Sequence, residues 1–189
     1  MGKAESALPF GYRGGVVSHQ YLTKKISDHV DAVLEQWVTA APGLDTTHLG
    51  VVARLHRVAH QLRLRAEVVL EPHGLTQGEF DVLSALRRSG SADGVTPSAL
   101  AAAVLVSSGG ITKRLAALER AGWISRERSP RDGRSVRVAL TSSGRDRLDA
   151  LLPAYFASEA AVLDGLAPAE RDGLADLLRE LSLRLDRGR

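Results

Sequence analysis

The sequence predicts a mainly α-helical chain with one small β-hairpin, and three observations carry that prediction. Apolar residues recur at helical spacing through most of the 189 positions, one stretch near residues 123–140 alternates with period two, and Pro, Gly and capping hydroxyl or Asp residues punctuate the segments between. Hydrophobic residues make up 44% of the chain but aromatics only 4%, so Ala, Leu and Val must build the core and Trp37 and Trp123 stand out.

Residues 1–21, with Gly2, Gly11, Gly14 and Gly15 and little periodicity, read as a flexible leader. A helix is expected within 22–41, starting at Ser27 or just before it. Val30, Val33, Leu34 and Trp37 form its apolar stripe, and Pro42-Gly43 ends it. Asp45 to Thr47 can cap a second helix, running to Glu71, whose apolar side is Val51, Val52, Leu55, Val58, Ala59, Leu62 and Val69. Thr76 opens a third helix with Phe80, Val82, Leu83, Ala85 and Leu86 inside, and 89–95 reads as a loop.

Residues 96–141 are the most informative. Thr96-Pro97 places a capping hydroxyl before Pro at the first helical position, the start of a short Ala-rich helix. Ser107 or Ser108 can cap the next one, which ends near Gly122 and buries Ile111, Leu115 and Leu118 while Lys113, Ala116 and Arg120 project outward. Gly109 and Gly110 let its N-terminal backbone approach another surface, and its free amides favour phosphate. Trp123 to Arg128 forms one strand; on the other, Val136, Val138 and Leu140 alternate with Ser135, Arg137 and Ala139. Between them Ser129-Pro130-Arg131-Asp132-Gly133-Arg134 is turn chemistry carrying arginines. From Ser107 to Arg147 there are ten Lys or Arg against four Asp or Glu; the chain nets +3, so the remainder carries about −3. Positive charge concentrated on one short-helix–turn–helix is the footprint of a duplex-binding surface.

The strand segment 132–141, DGRSVRVALT, looks like the D-x-R…L-T wing signature of the MarR family of winged helix-turn-helix repressors, and 107–115, SSGGITKRL, resembles that family's recognition helix. The resemblance covers about residues 50 to 186. It implies an obligate homodimer on a pseudopalindromic double-stranded operator, released by a small ligand. It also implies a winged helix-turn-helix over 75–141, with dimerisation through helices at 45–71 and 142–187. In that scheme Ser107, Ser108, Thr112, Lys113 and Arg114 enter the major groove, while Arg131 and Arg134 reach the minor groove or its phosphates. Arg114 also lies on the flank of the inward stripe, where phosphate or an internal acid is the alternative partner. Asp132 is expected to hold the wing turn or to orient Arg134.

Thr141 caps a long helix reaching about Leu163, interrupted or bent at Pro153, and Leu166-Ala167-Pro168 opens a last one with Leu174, Leu177, Leu178, Leu181 and Leu185 in one stripe. That stripe suits either a core or a subunit interface, and the resemblance favours the interface.

The extra helix bearing Trp37 is similar to the urate-responsive branch of the same family. There a Trp on the extra helix, an Asp in the scaffold and an Arg after the recognition helix hold a small anionic effector. The matching positions are Trp37, Asp81 and Arg126, with Arg114 passing the signal to DNA. Arg126 alternates with Ile124, so period two turns both inward. A second acidic residue of that branch has no match among Ala99, Ala101, Ala102 and Ala103, so the resemblance does not carry urate itself. The plain alternatives are a packed core Trp37 and an Asp81 that complements its helix dipole.

No cysteine is present, which excludes disulfides and thiolate metal or redox sites. His56 and His60 are four apart on one helix but lack a zincin Glu, and no nucleophile elbow, phosphate loop or carboxylate dyad occurs. No cofactor, metal or catalytic residue is expected. With no apolar signal core and no run of about 20 apolar residues, a cytoplasmic protein away from membranes is expected. Alternatives to a ligand-responsive repressor are a ligand-insensitive or activating regulator, or a winged helix used for protein contacts.

Overall fold

The computed structural model describes residues 27–91, 93–104, 107–128 and 135–188. The expected leader, residues 22–26 of the extra helix, and the wing tip with Arg131, Asp132 and Arg134 lie outside the described residues. The chain forms two compact units, one ending at Leu55 and one beginning at His56.

In the first unit, helix α1 spans His29–Ala40. Its cap is Asp28, not Ser27. The Asp28 carboxylate accepts from the amides of Val30 (2.9 Å) and Asp31 (3.1 Å), and Asp31 Oδ2 accepts from the Asp28 amide at 2.9 Å. This reciprocal pair satisfies amides that a helix start leaves free, so the boundary falls where the carboxylates are. Along the expected stripe Val30 is buried, Val33 and Leu34 are half-buried, and Trp37 is 43% exposed.

Helix α2 spans Leu49–Leu70. Asp45 does not cap it; its Oδ1 accepts from the Thr47 amide (3.0 Å) and hydroxyl (2.7 Å), tightening the turn ahead of the helix. Arg54 reaches from α2 to both cap carboxylates of α1, at 2.9 Å from Asp28 and 2.8 Å from Asp31.

The second unit holds the core. It takes in the last turns of α2, where Ala66 and Leu70 are buried, and a 3-10 turn at Glu71–His73. Helix α3, Gln77–Ser89, is capped reciprocally by Thr76 and Glu79 and buries the five apolar residues its sequence offered. Short α4, Pro97–Ala103, is capped by Thr96; α5, Ser108–Arg120, is capped by Ser107. Strands β1, Ile124–Arg128, and β2, Val136–Leu140, pair antiparallel with Ile124 opposite Leu140 and Arg126 opposite Val138. Val95, read as loop from sequence, forms a bridge to Val138 with both backbone hydrogen bonds at 2.9 Å. Gly94 makes this approach possible: at φ +74° a Cβ there would lie 2.7 Å from the Val138 carbonyl oxygen.

Helix α6, Ser142–Ala160, starts at the Thr141 cap and ends in a 3-10 turn at Ala161–Leu163. Pro153 does not interrupt it. The residue and its i−4 neighbour Asp149 are exposed, so the carbonyl that loses its donor is on the solvent side. Helix α7, Pro168–Arg187, has no buried residue: Leu177 is 68% and Leu185 65% exposed, and Leu174, Leu178 and Leu181 are also open. The leucine stripe is therefore not core within this chain. The architecture is the expected one, mainly α with a two-stranded hairpin. Among the described residues, no single helix is long and apolar enough to cross a membrane.

Candidate nucleic-acid interface

Helix α5 is held from behind and open in front. Ile111, Leu115 and Leu118 are buried to within 2% and anchor it against α3 and α4, while Thr112, Lys113 and Arg120 are exposed. Ser107 is exposed, and its hydroxyl accepts from the Gly110 amide at 3.3 Å. At Gly109 a Cβ would meet nothing within 4 Å. Ser108 begins the helix.

Arg114 is placed apart from this outward set. It is half-buried and turned back onto α3, where a Cβ on Gly78 would lie 2.5 Å from its Cζ. Its side chain lies on the inward flank beside Gly78, and among the described residues no acidic side chain is bonded to it.

The base of the hairpin is tightly built. The Thr141 hydroxyl donates to the Gly122 carbonyl (2.8 Å) and accepts from the Gly144 amide (2.8 Å). Buried Trp123 carries the Arg147 guanidinium 3.7 Å above its ring, and Arg147 also donates to the Ala121 carbonyl at 3.3 Å. Sequence reading had assigned no role to Arg147, because nothing local links a helix residue to a tryptophan 24 positions earlier.

Outward from this base the burial of β1 fades: Ile124 is buried, Ser125 half-buried, and Arg126 to Arg128 exposed. Arg126 therefore does not face the interior as period two implied. It shares a face with Ile124, but the core ends before reaching it. Its Nε donates to Glu119 Oε2 at 2.8 Å, and a terminal nitrogen donates to the same oxygen. The Arg126 hydrogen bond holds the Glu119 carboxyl below its usual range, and Glu119 in turn raises the Arg126 guanidinium. Glu119 was missed from sequence, since its partner lies across the Gly122 corner.

Asp81 is half-buried, with Oδ1 accepting from Gln77 Nε2 at 2.9 Å; that amide also donates to the Tyr155 hydroxyl at 3.0 Å. Tyr155 stacks on Phe80 with centroids 4.0 Å apart, and burial pushes its hydroxyl pKa up. Asp81 lies on the wall of two cavities. One, of about 460 Å³, is lined also by Leu62, Arg63, Arg114, Tyr155 and Glu159. The other, of about 500 Å³, lies between α3, the end of α4 and α6 and is lined by Phe80, Ser84, Val104 and Phe156 among others. Arg126 lines neither. Asp81 and Arg126 thus belong to separate sites of the second unit, and Trp37 belongs to the first unit. Among the described residues, no group of three or more His, Asp or Glu could hold a metal ion, His56 and His60 included.

Residues 73–135 match the family model described as MarR family. The chain is 30% identical over 149 residues to the HTH-type transcriptional regulator PecS of Dickeya dadantii (strain 3937), covering 79% of this chain and 90% of that protein. Among solved structures, Bordetella bronchiseptica BpsR, whose DNA binding is regulated by 6-hydroxynicotinic acid, superposes with TM-score 0.65 at 25% identity over 74% of this chain and 98% of its own. The S. aureus MepR–DNA complex superposes with TM-score 0.63 at 25% identity, covering 70% of this chain and 97% of that one.

Proposed function

This chain belongs to the MarR family of DNA-binding transcriptional regulators, and from that premise we propose that it acts as a homodimeric, ligand-responsive repressor on a pseudopalindromic operator. The observation that carries the DNA reading is the outward face of α5, with exposed Thr112 and Lys113 on a helix anchored by three buried apolar residues. In the proposal Ser107, Ser108, Thr112 and Lys113 address the major groove, and Arg131 and Arg134 the minor groove beside it. Arg114 acts behind them, coupling α5 to α3. Footprinting on the intergenic DNA flanking the protein's own gene tests this. A specific protected site with two-fold symmetry is expected, and its absence at low salt would sink the reading.

The dimer proposal is supported by α7, whose leucines are uncovered within the chain, and by the exposed Val51 and Val58 of α2. A two-fold pairing must hold two α5 helices about 34–36 Å apart. Transcription from the protected promoter, with and without the protein, separates repression from activation.

The effector proposed is a small anion, as the resemblance implies for Trp37, Asp81 and Arg126. Support comes from the 460 Å³ cavity, where Arg63 and Arg114 offer positive charge and the Tyr155 hydroxyl a donor, set against the carboxylates of Asp81 and Glu159. An anion that takes Arg126 has to displace Glu119. Operator release with urate, xanthine and citrate, in the wild type and in Trp37→Ala and Asp81→Asn, is the test. A responsive ligand whose effect survives both substitutions lies elsewhere.

A further inference from the structure

We propose that Glu119 and Arg126 form a strut fixing the angle between the recognition helix and the hairpin, making Arg126 a positioning residue for DNA binding that does not itself contact DNA. This rests on the DNA-binding reading above.

Above its base the hairpin is gripped from both sides at one rung. On β2 that rung is Val138, fully buried and bonded to Val95; on β1 it is Arg126, directly opposite Val138 and tied to Glu119. Beyond it Glu127, Arg128 and Val136 are exposed, and half-buried Arg137 still donates to the Gly94 carbonyl at 3.5 Å, so past these ties the hairpin runs on as a two-stranded lever. A small rotation at the rung is amplified toward the far ends of β1 and β2. Two strands alone do not resist such a rotation well.

Glu119 is otherwise badly placed. It stands in the last turn of α5, where the helix dipole disfavours a carboxylate, and in a segment whose other charges are mostly basic. Near a duplex it would also repel phosphate. An acid at this position makes physical sense as a partner. Two N–H groups of Arg126, from Nε and one terminal nitrogen, converge on its Oε2 and set the direction as well as the distance between helix and strand. Because the guanidinium is committed to Glu119, its positive charge is largely spent before DNA arrives.

The sign of one substitution separates the strut from a simple charge effect. Glu119→Gln removes a negative charge beside the DNA; electrostatics alone predicts tighter binding. The strut predicts the opposite: about threefold weaker operator binding, with loss of minor-groove protection under the wing in a hydroxyl-radical footprint. Guanine N7 protection in the major groove is retained, since α5 keeps its own anchors. The double exchange Glu119→Arg with Arg126→Glu restores the wing footprint, which a phosphate-contacting Arg126 would not allow. Thermal melting of each variant accompanies the footprints, and the double exchange remains informative if the single variant is unstable. Tighter or unchanged binding by Glu119→Gln with an intact wing footprint overturns the strut, as does a folded double exchange that lacks wing protection. If the wild type itself gives no specific footprint, the DNA reading falls, a result distinct from failure of the strut.

Discussion

Lys113 and Gly144 mark the two kinds of residue that matter most here, one for what it offers to solvent and one for the room it leaves. Lys113 is exposed on α5. Lys113→Ala is expected to weaken binding of every duplex sequence and to lower the slope of log K against log salt by about one unit. An unchanged slope in binding titrations would remove Lys113 from the interface. At Gly144 a Cβ would lie 2.0 Å from the Trp123 carbonyl oxygen, a backbone atom that cannot turn aside. Gly144→Ala is expected to cost on the order of 1–3 kcal/mol in chemical denaturation, with the hairpin base loosened. The exposed faces of such residues were legible from sequence because helical period alone sorts Lys113 from Ile111 and Leu115. Gly144 was not legible, because the atom that forbids a side chain there lies 21 residues earlier in the chain.

At the scale of elements, caps were the most legible feature. Thr76, Thr96, Ser107 and Thr141 each sit where the sequence placed them, since each is a local hydroxyl serving local amides. The start of α1 moved to Asp28 because two carboxylates outcompete one serine. That start also carries a pH dependence. The Asp28 carboxyl is held low chiefly by its hydrogen bond to Arg54, and Asp31 chiefly by the Asp28 amide and then Arg54. Groups with lowered folded values stabilise above their ordinary range and lose that contribution as pH falls through it. The tie between α1 and α2 should therefore be constant around neutrality and open only below about pH 4. Amide exchange of α1 followed against pH checks this; opening that begins near neutrality would take the effect away from Asp28 and Asp31. For α7 the expected outcome is one of association. Leu177→Asp leaves the fold intact, since no residue of α7 is buried, but shifts the protein to monomer in sedimentation at micromolar concentration and abolishes the symmetric footprint. A variant that stays dimeric takes α7 out of the interface.

Across the whole molecule, the sequence by itself determined the helical class, the order of its elements, the position of the hairpin and the outward face of α5. Each of these follows from period, capping and turn chemistry within a few residues. Its charge balance also located the basic segment. Only the tertiary structure decided what depends on contacts between distant segments. It drew Val95 into the hairpin, turned Arg114 back onto α3, left the leucines of α7 uncovered and ended the core before Arg126. The Arg126 case shows the physical reason. Period two says which residues share a face, but not how far along a strand the core extends to cover that face. A residue one rung past that limit keeps its direction and loses its burial, and the nearest carboxylate, Glu119 across the corner, becomes its partner.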